Sequence, residues 1–235
     1  MFVERTVKDY FLSANAFFPA VLLTGPRQVG KTTFLRKLAE PERKYVSLDN
    51  MLDVQLARTD PRAFLARYAP PVLIDEIQYA PELLPYIKMM IDEARLAQAA
   101  SCAGMFWLTG SQQFQMMKGV TESLAGRIGI VDMLGFSQAE LDGRPSMPFL
   151  PDREFAVRKS PLDVMGLCRQ IWLGSFPGIA QSGEEHWEMF YSAYVRTYLE
   201  RDVRDLGSVN DLERFFRFLR SAAARTGQLL NYADL

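Results

Sequence analysis

The chain has 235 residues, of which 49% are hydrophobic and 23% charged, and its formal net charge at pH 7 is −1. This composition is ordinary for a soluble globular protein with one substantial core and a smaller second unit. The near-neutral charge provides no overall attraction to nucleic acid, and a single histidine, His186, argues against a histidine-ligated metal site.

The cysteine and hydropathy patterns bear on the compartment. Cys102 and Cys168 stand in unrelated contexts, so no disulfide framework is predicted and a reducing compartment fits. No segment approaches the roughly 18 consecutive apolar residues of a membrane span, and the N-terminal residues lack a signal-peptide pattern. We therefore expect a cytoplasmic protein with no membrane partner.

In chain order, residues 2–12 predict a short amphipathic helix, and the apolar residues 20–23 predict the first strand. A glycine-bounded loop follows and leads into a predicted helix over 33–39. The loop contains Gly25, Pro26, Arg27, Gln28, Val29, Gly30, Lys31, Thr32 and Thr33.

This loop has the pattern of a nucleoside triphosphate site. Its glycines let the backbone wrap around phosphate oxygens, while consecutive N–H groups and the helix N-terminus attract anions. In this pattern Lys31 reaches the β- and γ-phosphates and the Thr32 hydroxyl binds Mg²⁺. We therefore expect residues 25–33 to hold the nucleotide, with Lys31 also catalytic and Thr32 a metal ligand.

Residues 45–48 predict the second strand, and Asn50 and Asp60-Pro61 mark the starts of two helices. Residues 72–74 predict the third strand, which ends in Asp75 and Glu76. Ligands of open α/β sheets collect at the carboxyl ends of strands. We expect Asp75 to hold Mg²⁺ directly or through water and Glu76 to orient and polarise the attacking water; the alternative is an acidic cap of the next helix.

A long amphipathic helix over 81–99, a fourth strand over 105–108, a helix over 114–124 and a fifth strand over 128–131 come next. Strands that alternate with helices at this spacing predict a parallel five-stranded sheet flanked by helices on both faces. This unit is predicted to cover residues 1–141, with a connector over 142–161. The region 162–235 is predicted to be purely helical.

A polar residue at the tip of the fourth strand would lie beside the γ-phosphate. Ser111 is the first candidate and Thr109 the second, although both could simply form the turn after the strand. Arg127 precedes the fifth strand and could stabilise the transition state of its own or a neighbouring subunit, or form a structural ion pair. The absence of an Asn-Lys-x-Asp segment favours ATP over GTP.

Eight segments occur in a fixed order: GPRQVGKTT (25–33), LIDEIQ (73–78), LTGSQ (108–112), SLAGRI (123–128), FSQAEL (136–141), GSFPG (174–178), YLERDV (198–203) and TGQLLNYADL (226–235). This series closely resembles the prokaryotic AAA+ superfamily ATPases with an AAA_14 core followed by a DUF4143 region. The resemblance implies a P-loop NTPase fold with a helical C-terminal unit, and the chain is expected to stop where a winged-helix-like domain would begin.

These observations predict a Mg²⁺-dependent ATPase whose hydrolysis resets a conformational switch. Two alternatives stay open: a nucleotide-responsive DNA or protein adaptor with negligible hydrolysis, and a P-loop kinase of a small molecule. Arg214, Arg217 and Arg225 form a basic stripe that could contact DNA in the C-terminal region, or simply a solvated face. Assembly into a homo-oligomer or with a protein partner is also left open.

Overall fold

The structure, a computed structural model, describes residues 2–97, 102–110, 119–120, 122–143, 162–199 and 212–229. The chain divides into two compact units, Met1–Glu184 and Glu185–Leu235. In the described part of the chain, no helix is both long and apolar enough to cross a membrane.

The first unit contains a five-stranded sheet. Its strands are β1 (Ala20–Thr24), β2 (Lys44–Ser47), β3 (Val72–Asp75), β4 (Phe106–Gly110) and β5 (Ile128–Asp132). Its helices are α1 (Lys8–Phe17), α2 (Lys31–Leu38), α3 (Met51–Thr59), α4 (Pro61–Arg67), α5 (Leu83–Leu96), α6 (Gln138–Leu141), α7 (Val164–Leu173) and α8 (Pro177–Ser182). Residues 119–120 and 122–124 are also helical, within the predicted helix 114–124.

The strands are all parallel and lie in the order β2-β3-β4-β1-β5. Leu108 of β4 pairs with Leu22 of β1 on one side and with Ile74 of β3 on the other. Because the strands are parallel, their carboxyl ends meet at one edge of the sheet. The order therefore brings the loop after β1 and the carboxylates after β3 to the same edge, with the end of β4 between them.

Alternate residues of β1, β3 and β4 supply the two cores that hold the sheet between its helices. Ala20 and Leu22 of β1 are fully buried in a cluster with apolar residues of α3, α4 and α5. Val21 and Leu23 are fully buried on the other face with residues of α1 and α2, including Phe11 and Phe34. The predicted class, a P-loop NTPase fold with a parallel five-stranded sheet flanked by helices, is confirmed.

Side-chain caps begin the two helices between β2 and β3. The Asn50 side chain accepts a 2.9 Å hydrogen bond from the Leu52 N–H, and Asp60 accepts one of 2.9 Å from the Ala63 N–H. Pro61 occupies the first helical position of α4, where its missing N–H costs nothing. Both predicted helix starts are therefore observed.

Helices α7 and α8 belong to the first compact unit, although the sequence predicted one helical region over 162–235. The Phe136 N–H donates a 2.7 Å hydrogen bond to the Ser175 carbonyl, and Phe176 packs against the core that contains Phe11. The described residues of the second unit contain α9 (Trp187–Tyr194), a π-helical turn (Val195–Leu199) and α10 (Leu212–Ala224). The boundaries predicted at residues 141 and 161 stay predictions.

Candidate nucleotide-binding site

The loop between β1 and α2 needs glycine at its first position. Gly25 has a φ of 143°, and a Cβ built there would overlap the carbonyl oxygen of Met133. Gly30 has a φ of 92°, and nothing lies within 4 Å of the position that its Cβ would occupy. The first glycine therefore permits close packing against the segment after β5, and the second permits the left-handed turn into α2.

Lys31 begins α2, and only 7% of it is exposed. Its Nζ donates hydrogen bonds to the carbonyl oxygens of Gly25 at 2.9 Å and Pro26 at 2.8 Å. Burial lowers the pKa of the Lys31 ammonium, while the negative charges of Glu76 and Asp75 oppose that shift. The phosphate loop thus holds a buried ammonium group against its own carbonyls, within the electrostatic reach of both carboxylates.

Asp75 ends β3 and is 4% exposed. Its carboxylate accepts hydrogen bonds from the Thr32 hydroxyl at 3.0 and 2.9 Å, from the Tyr45 hydroxyl at 3.2 Å and from the Thr109 hydroxyl. The Thr32 hydroxyl and the Asp75 carboxylate are hard oxygen donors, which suit Mg²⁺. These two predicted metal ligands, which lie 43 residues apart in sequence, are therefore in direct contact.

Glu76 follows Asp75 in a left-handed backbone conformation, with φ 61° and ψ 49°. Its N–H donates a 3.0 Å hydrogen bond to the Thr109 hydroxyl, and its carboxylate accepts one from the Gln78 side-chain amide. A non-glycine residue in this conformation costs about 1–3 kcal/mol, and such strain tends to collect at functional sites. Glu76 is therefore held next to Asp75 by two hydrogen bonds, one at its backbone N–H and one at its carboxylate.

At the carboxyl end of β4, the residue that contacts the acidic pair is Thr109, the second of the two candidates from the sequence. Its side chain is fully buried and bridges the two acidic residues, because it donates to the Asp75 carboxylate and accepts from the Glu76 N–H. Ser111, the first candidate, lies outside the described residues, and its role beside the γ-phosphate stays a prediction.

Arg127 lies at the amino-terminal ends of the strands, whereas the phosphate loop lies at their carboxyl ends. Its carbonyl accepts a 3.1 Å hydrogen bond from the N–H of Ala20, the first residue of β1, whereas the loop follows the last residue of β1. Its guanidinium binds both Asp92 carboxylate oxygens, at 2.7 and 3.0 Å, and this hydrogen bonding lowers the pKa of Asp92. In its own chain Arg127 forms the structural ion pair; a role at a neighbouring subunit stays a prediction.

A cavity of about 350 Å³ opens beside the phosphate loop. Parts of the chain that are remote in sequence build it: the N-terminal segment, the loop and the start of α2, the segment after β5, and α8. It is lined by Phe2, Val3, Arg5, Val29, Gly30, Thr33, Phe34, Met133, Phe136, Pro177 and Gln181.

Arg5 ties three of these parts together. Its guanidinium donates hydrogen bonds to the Val29 carbonyl at 3.0 Å, the Leu134 carbonyl at 2.6 Å and the Glu140 carboxylate at 3.2 Å, and it lies 4.7 Å from the centre of the Phe136 ring. Both Arg5 and Glu140 are buried, with 7% and 5% exposure. The phosphate loop and the segment after β5 are thus held to the N-terminal segment by one side chain.

The electrostatics of Glu140 reflect these contacts. Burial by itself raises the pKa of Glu140, but hydrogen bonds from the N–H groups of Ser137 and Thr6, at 2.9 and 2.7 Å, and the charge of Arg5 outweigh it. The net effect lowers the pKa of Glu140. Its carboxylate therefore stays ionised in the fold as the counterion of Arg5.

Sequence reasoning missed three features of this site. Tyr45 reaches Asp75 because β2 lies beside β3, and the strand order cannot be read from the residues around Tyr45. Gln78 follows Glu76 at a spacing that also fits an ordinary turn, so no sequence pattern predicted the hydrogen bond between the two side chains. The cavity has no local signal either, because its walls come from residues as far apart as Phe2 and Gln181.

Comparison with known proteins gives matches for both halves of the chain. The AAA_14 family model, described as an AAA domain, matches residues 18–142, and a domain of unknown function, DUF8612, matches residues 166–235. The expected DUF4143 region is not what matches here, since the C-terminal match is to DUF8612. Short segments such as GSFPG did not separate these two families.

Two curated relatives are the uncharacterized proteins Rv2008c of Mycobacterium tuberculosis and Mb2031c of Mycobacterium bovis. Each is 28% identical over 221 residues, which is 92% of this chain and 43% of the relative. The chain therefore spans less than half the length of the curated relatives that it matches. A solved structure, the Walker-type ATPase PABY2304 of Pyrococcus abyssi, is 20% identical, with a TM-score of 0.39 over 60% of this chain and 57% of that one.

The AAA_14 match covers the sheet from before β1 to after α6, including the phosphate loop and both carboxylates after β3. It extends over more than half of the 235 residues. The chain belongs to the AAA domain family AAA_14.

Proposed function

We propose that this chain binds ATP together with Mg²⁺ and hydrolyses it, and that hydrolysis drives a conformational switch. The observation that carries the proposal is the contact of the Thr32 hydroxyl with both Asp75 carboxylate oxygens, at 3.0 and 2.9 Å, beside the buried Lys31 ammonium. A cation-binding pair next to an anion-binding loop is the combination that a magnesium–triphosphate complex requires.

Each residue then has a distinct role. The loop amides and Lys31 bind the β- and γ-phosphates, and Thr32 and Asp75 would hold Mg²⁺. When bound, Mg²⁺ neutralises charge on the phosphate oxygens. Glu76 accepts a proton from water while the water oxygen bonds to the γ-phosphorus; the bond from that phosphorus to the β–γ bridging oxygen breaks, and its electron pair leaves with ADP.

The cavity of about 350 Å³ offers a place for the base and ribose next to the phosphate loop. Phe2, Met133 and Phe136 provide apolar surface in it, which suits the faces of a purine ring. The absence of an Asn-Lys-x-Asp segment favours adenine over guanine as that purine.

The same cavity suggests how occupancy changes conformation. Its walls include Val29 and Gly30 of the phosphate loop as well as Pro177 and Gln181 of α8. A nucleotide in the cavity would therefore contact the loop and α8 at once, and loss of the γ-phosphate would change those contacts. Ordering of a segment by a γ-phosphate is a known route from hydrolysis to movement.

The first experiment measures phosphate release with Mg²⁺ by the wild type and by Glu76→Gln. Without the proton acceptor, we expect turnover to fall by about 10²- to 10⁴-fold while binding of a fluorescent ATP analogue is retained. Lys31→Met is expected to lose that binding, whereas Lys37→Met, which changes an exposed lysine of the same helix, is the matched control.

The other outcomes identify the alternatives. If the wild type and Glu76→Gln release phosphate at the same background rate, with and without duplex DNA, the adaptor function replaces the ATPase. A phosphorylated small molecule in place of inorganic phosphate identifies a kinase. DNA binding through Arg214, Arg217 and Arg225 would appear as an affinity that falls steeply with added salt, and light scattering with and without ATP would detect assembly.

A further inference from the structure

A 3₁₀ helix, Ile77–Tyr79, follows Glu76 and presents Gln78 to it. The Nε2 of Gln78 donates a hydrogen bond to Oε2 of Glu76. The turn that carries Gln78 is firmly held, because Ile77 is fully buried and the Tyr79 carbonyl accepts a 2.7 Å hydrogen bond from Arg58. The contact therefore joins the predicted water-activating carboxylate to a fixed part of the fold.

The other polar atom of the same amide has no hydrogen-bond partner among the described residues. Oε1 of Gln78 is buried, and within the described part of the chain it accepts no hydrogen bond. Leaving a buried acceptor unpaired costs about 1–3 kcal/mol, and native proteins commonly satisfy such atoms with an ordered water. Because both atoms belong to one planar amide, a water on Oε1 would lie next to the Glu76 carboxylate.

We propose that Gln78 takes part in hydrolysis by orienting both the base and the water: its Nε2 donates a hydrogen bond to one carboxylate oxygen of Glu76, and its carbonyl oxygen accepts a hydrogen bond from the water that Glu76 deprotonates. This inference rests on the proposed ATPase function and adds a residue to that site. The bond to Gln78 engages only one of the two carboxylate oxygens, so the other can receive the proton.

The amide of glutamine is suited to this double role because it provides a donor and an acceptor at fixed separation. One proton of the water bonds to Oε1 of Gln78, and the other passes to Glu76 as the water oxygen attacks the γ-phosphorus. Gln78 itself exchanges no proton and forms no covalent bond. Its contribution is orientation, and misplacement of a reacting group by about 1 Å can cost about 10²-fold in rate.

The test compares ATP turnover and ATP affinity of the wild type, Gln78→Met and Gln78→Glu. Methionine keeps the length of the side chain but supplies neither hydrogen bond, and glutamate places a carboxylate against Glu76. We expect both variants to lower kcat by about 10- to 100-fold, with affinity for a fluorescent ATP analogue within about twofold of the wild type. Gln138→Met is the matched control, since the Gln138 amide also donates to a carboxylate, Asp142, at 2.8 Å, but from α6.

A double-mutant cycle separates positioning from a general structural role. Because the proposed contacts join Gln78 both to Glu76 and to the water that Glu76 deprotonates, adding Gln78→Met to Glu76→Gln should lower the residual single-turnover rate by a smaller factor than Gln78→Met lowers the wild-type rate. If the glutamine only stabilises the turn, its effect multiplies with that of Glu76→Gln, and the inference is wrong. Should Gln78→Met not fold, Gln78→Ala, which also removes both hydrogen bonds without adding a charge, completes the same cycle.

The proposed ATPase function and the proposed role of Gln78 can be refuted separately. A wild type that releases no more phosphate than Glu76→Gln overturns the proposed function itself. A wild type that hydrolyses ATP, together with a Gln78→Met variant of unchanged kcat, overturns the role of Gln78 and leaves the ATPase intact.

Discussion

Replacing Thr109 with valine removes the hydroxyl that bridges Asp75 and Glu76 while keeping the volume of the side chain nearly constant. In the wild type this hydroxyl donates to the Asp75 carboxylate and accepts from the Glu76 N–H at 3.0 Å, and the Thr109 residue is fully buried. The substitution therefore tests how far the end of β4 holds the acidic pair in place.

The size of the effect follows from the two hydrogen bonds. A hydrogen bond to a charged group contributes about 1.5–3 kcal/mol, and a buried N–H left without a partner costs about 1–3 kcal/mol. Asp75 keeps the hydroxyls of Thr32 and Tyr45, which limits the loss on its side. We expect Thr109→Val to lower the free energy of unfolding by about 3 kcal/mol.

Urea unfolding followed by tryptophan fluorescence measures this quantity. Trp107 is buried two residues before Thr109 and can be made the only reporter by changing the other two tryptophans, Trp172 and Trp187, to phenylalanine. Thr109→Ser keeps the hydroxyl and loses only a methyl group, so it should cost about 1 kcal/mol. A cost of less than about 1 kcal/mol for valine, or a serine variant as destabilised as the valine variant, would refute the bridging role of the Thr109 hydroxyl.

Three further predictions concern other parts of the chain. Gly25→Ala should abolish ATP-analogue binding, because its Cβ overlaps a carbonyl oxygen, whereas Gly126→Ala, which also has positive φ but open space, should retain binding. Glu140→Gln should lower the free energy of unfolding by about 3 kcal/mol at pH 7 by leaving Arg5 without its counterion. Since the pKa of Glu140 is lowered in the fold, this deficit should shrink as the pH falls below the unfolded value of about 4.5, and a deficit that is constant with pH in denaturant titrations would contradict the assignment. If Arg127 acts at a neighbouring subunit, Arg127→Ala should reduce ATP turnover of the assembled protein without changing ATP affinity; wild-type turnover would remove this predicted catalytic role.

The parts of this molecule that the sequence predicted are those with a local pattern. The phosphate loop is defined by nine consecutive residues, and β3 by an apolar run that ends in Asp75 and Glu76. The alternation of strands and helices was sufficient to predict a parallel sheet, because the crossover between parallel strands imposes that alternation. The same topology places the phosphate loop and the carboxyl end of β3 at the same edge of the sheet.

The contacts that refine the site lacked such patterns. Tyr45 contacts Asp75 only because β2 became the neighbour of β3, and Thr109 bridges the acidic pair only because β4 entered between β1 and β3. Both depend on the order of strands in space, which hydropathy alone does not determine. The hydrogen bond between the Phe136 N–H and the Ser175 carbonyl likewise joins segments that are remote in sequence, so no local pattern predicted it.

The position of Arg5 has a consequence for the behaviour of the first residues of the chain. The Arg5 guanidinium joins this N-terminal segment to Val29 of the phosphate loop. Packing of the segment against the loop and binding of nucleotide in the loop are therefore energetically coupled. By mass action, a ligand that favours the docked form protects it against opening. Cleavage near Arg5 by trypsin should therefore slow as nucleotide is added. The cleavage rate in this segment would then report on nucleotide binding at the phosphate loop, which lies about twenty residues later in the chain.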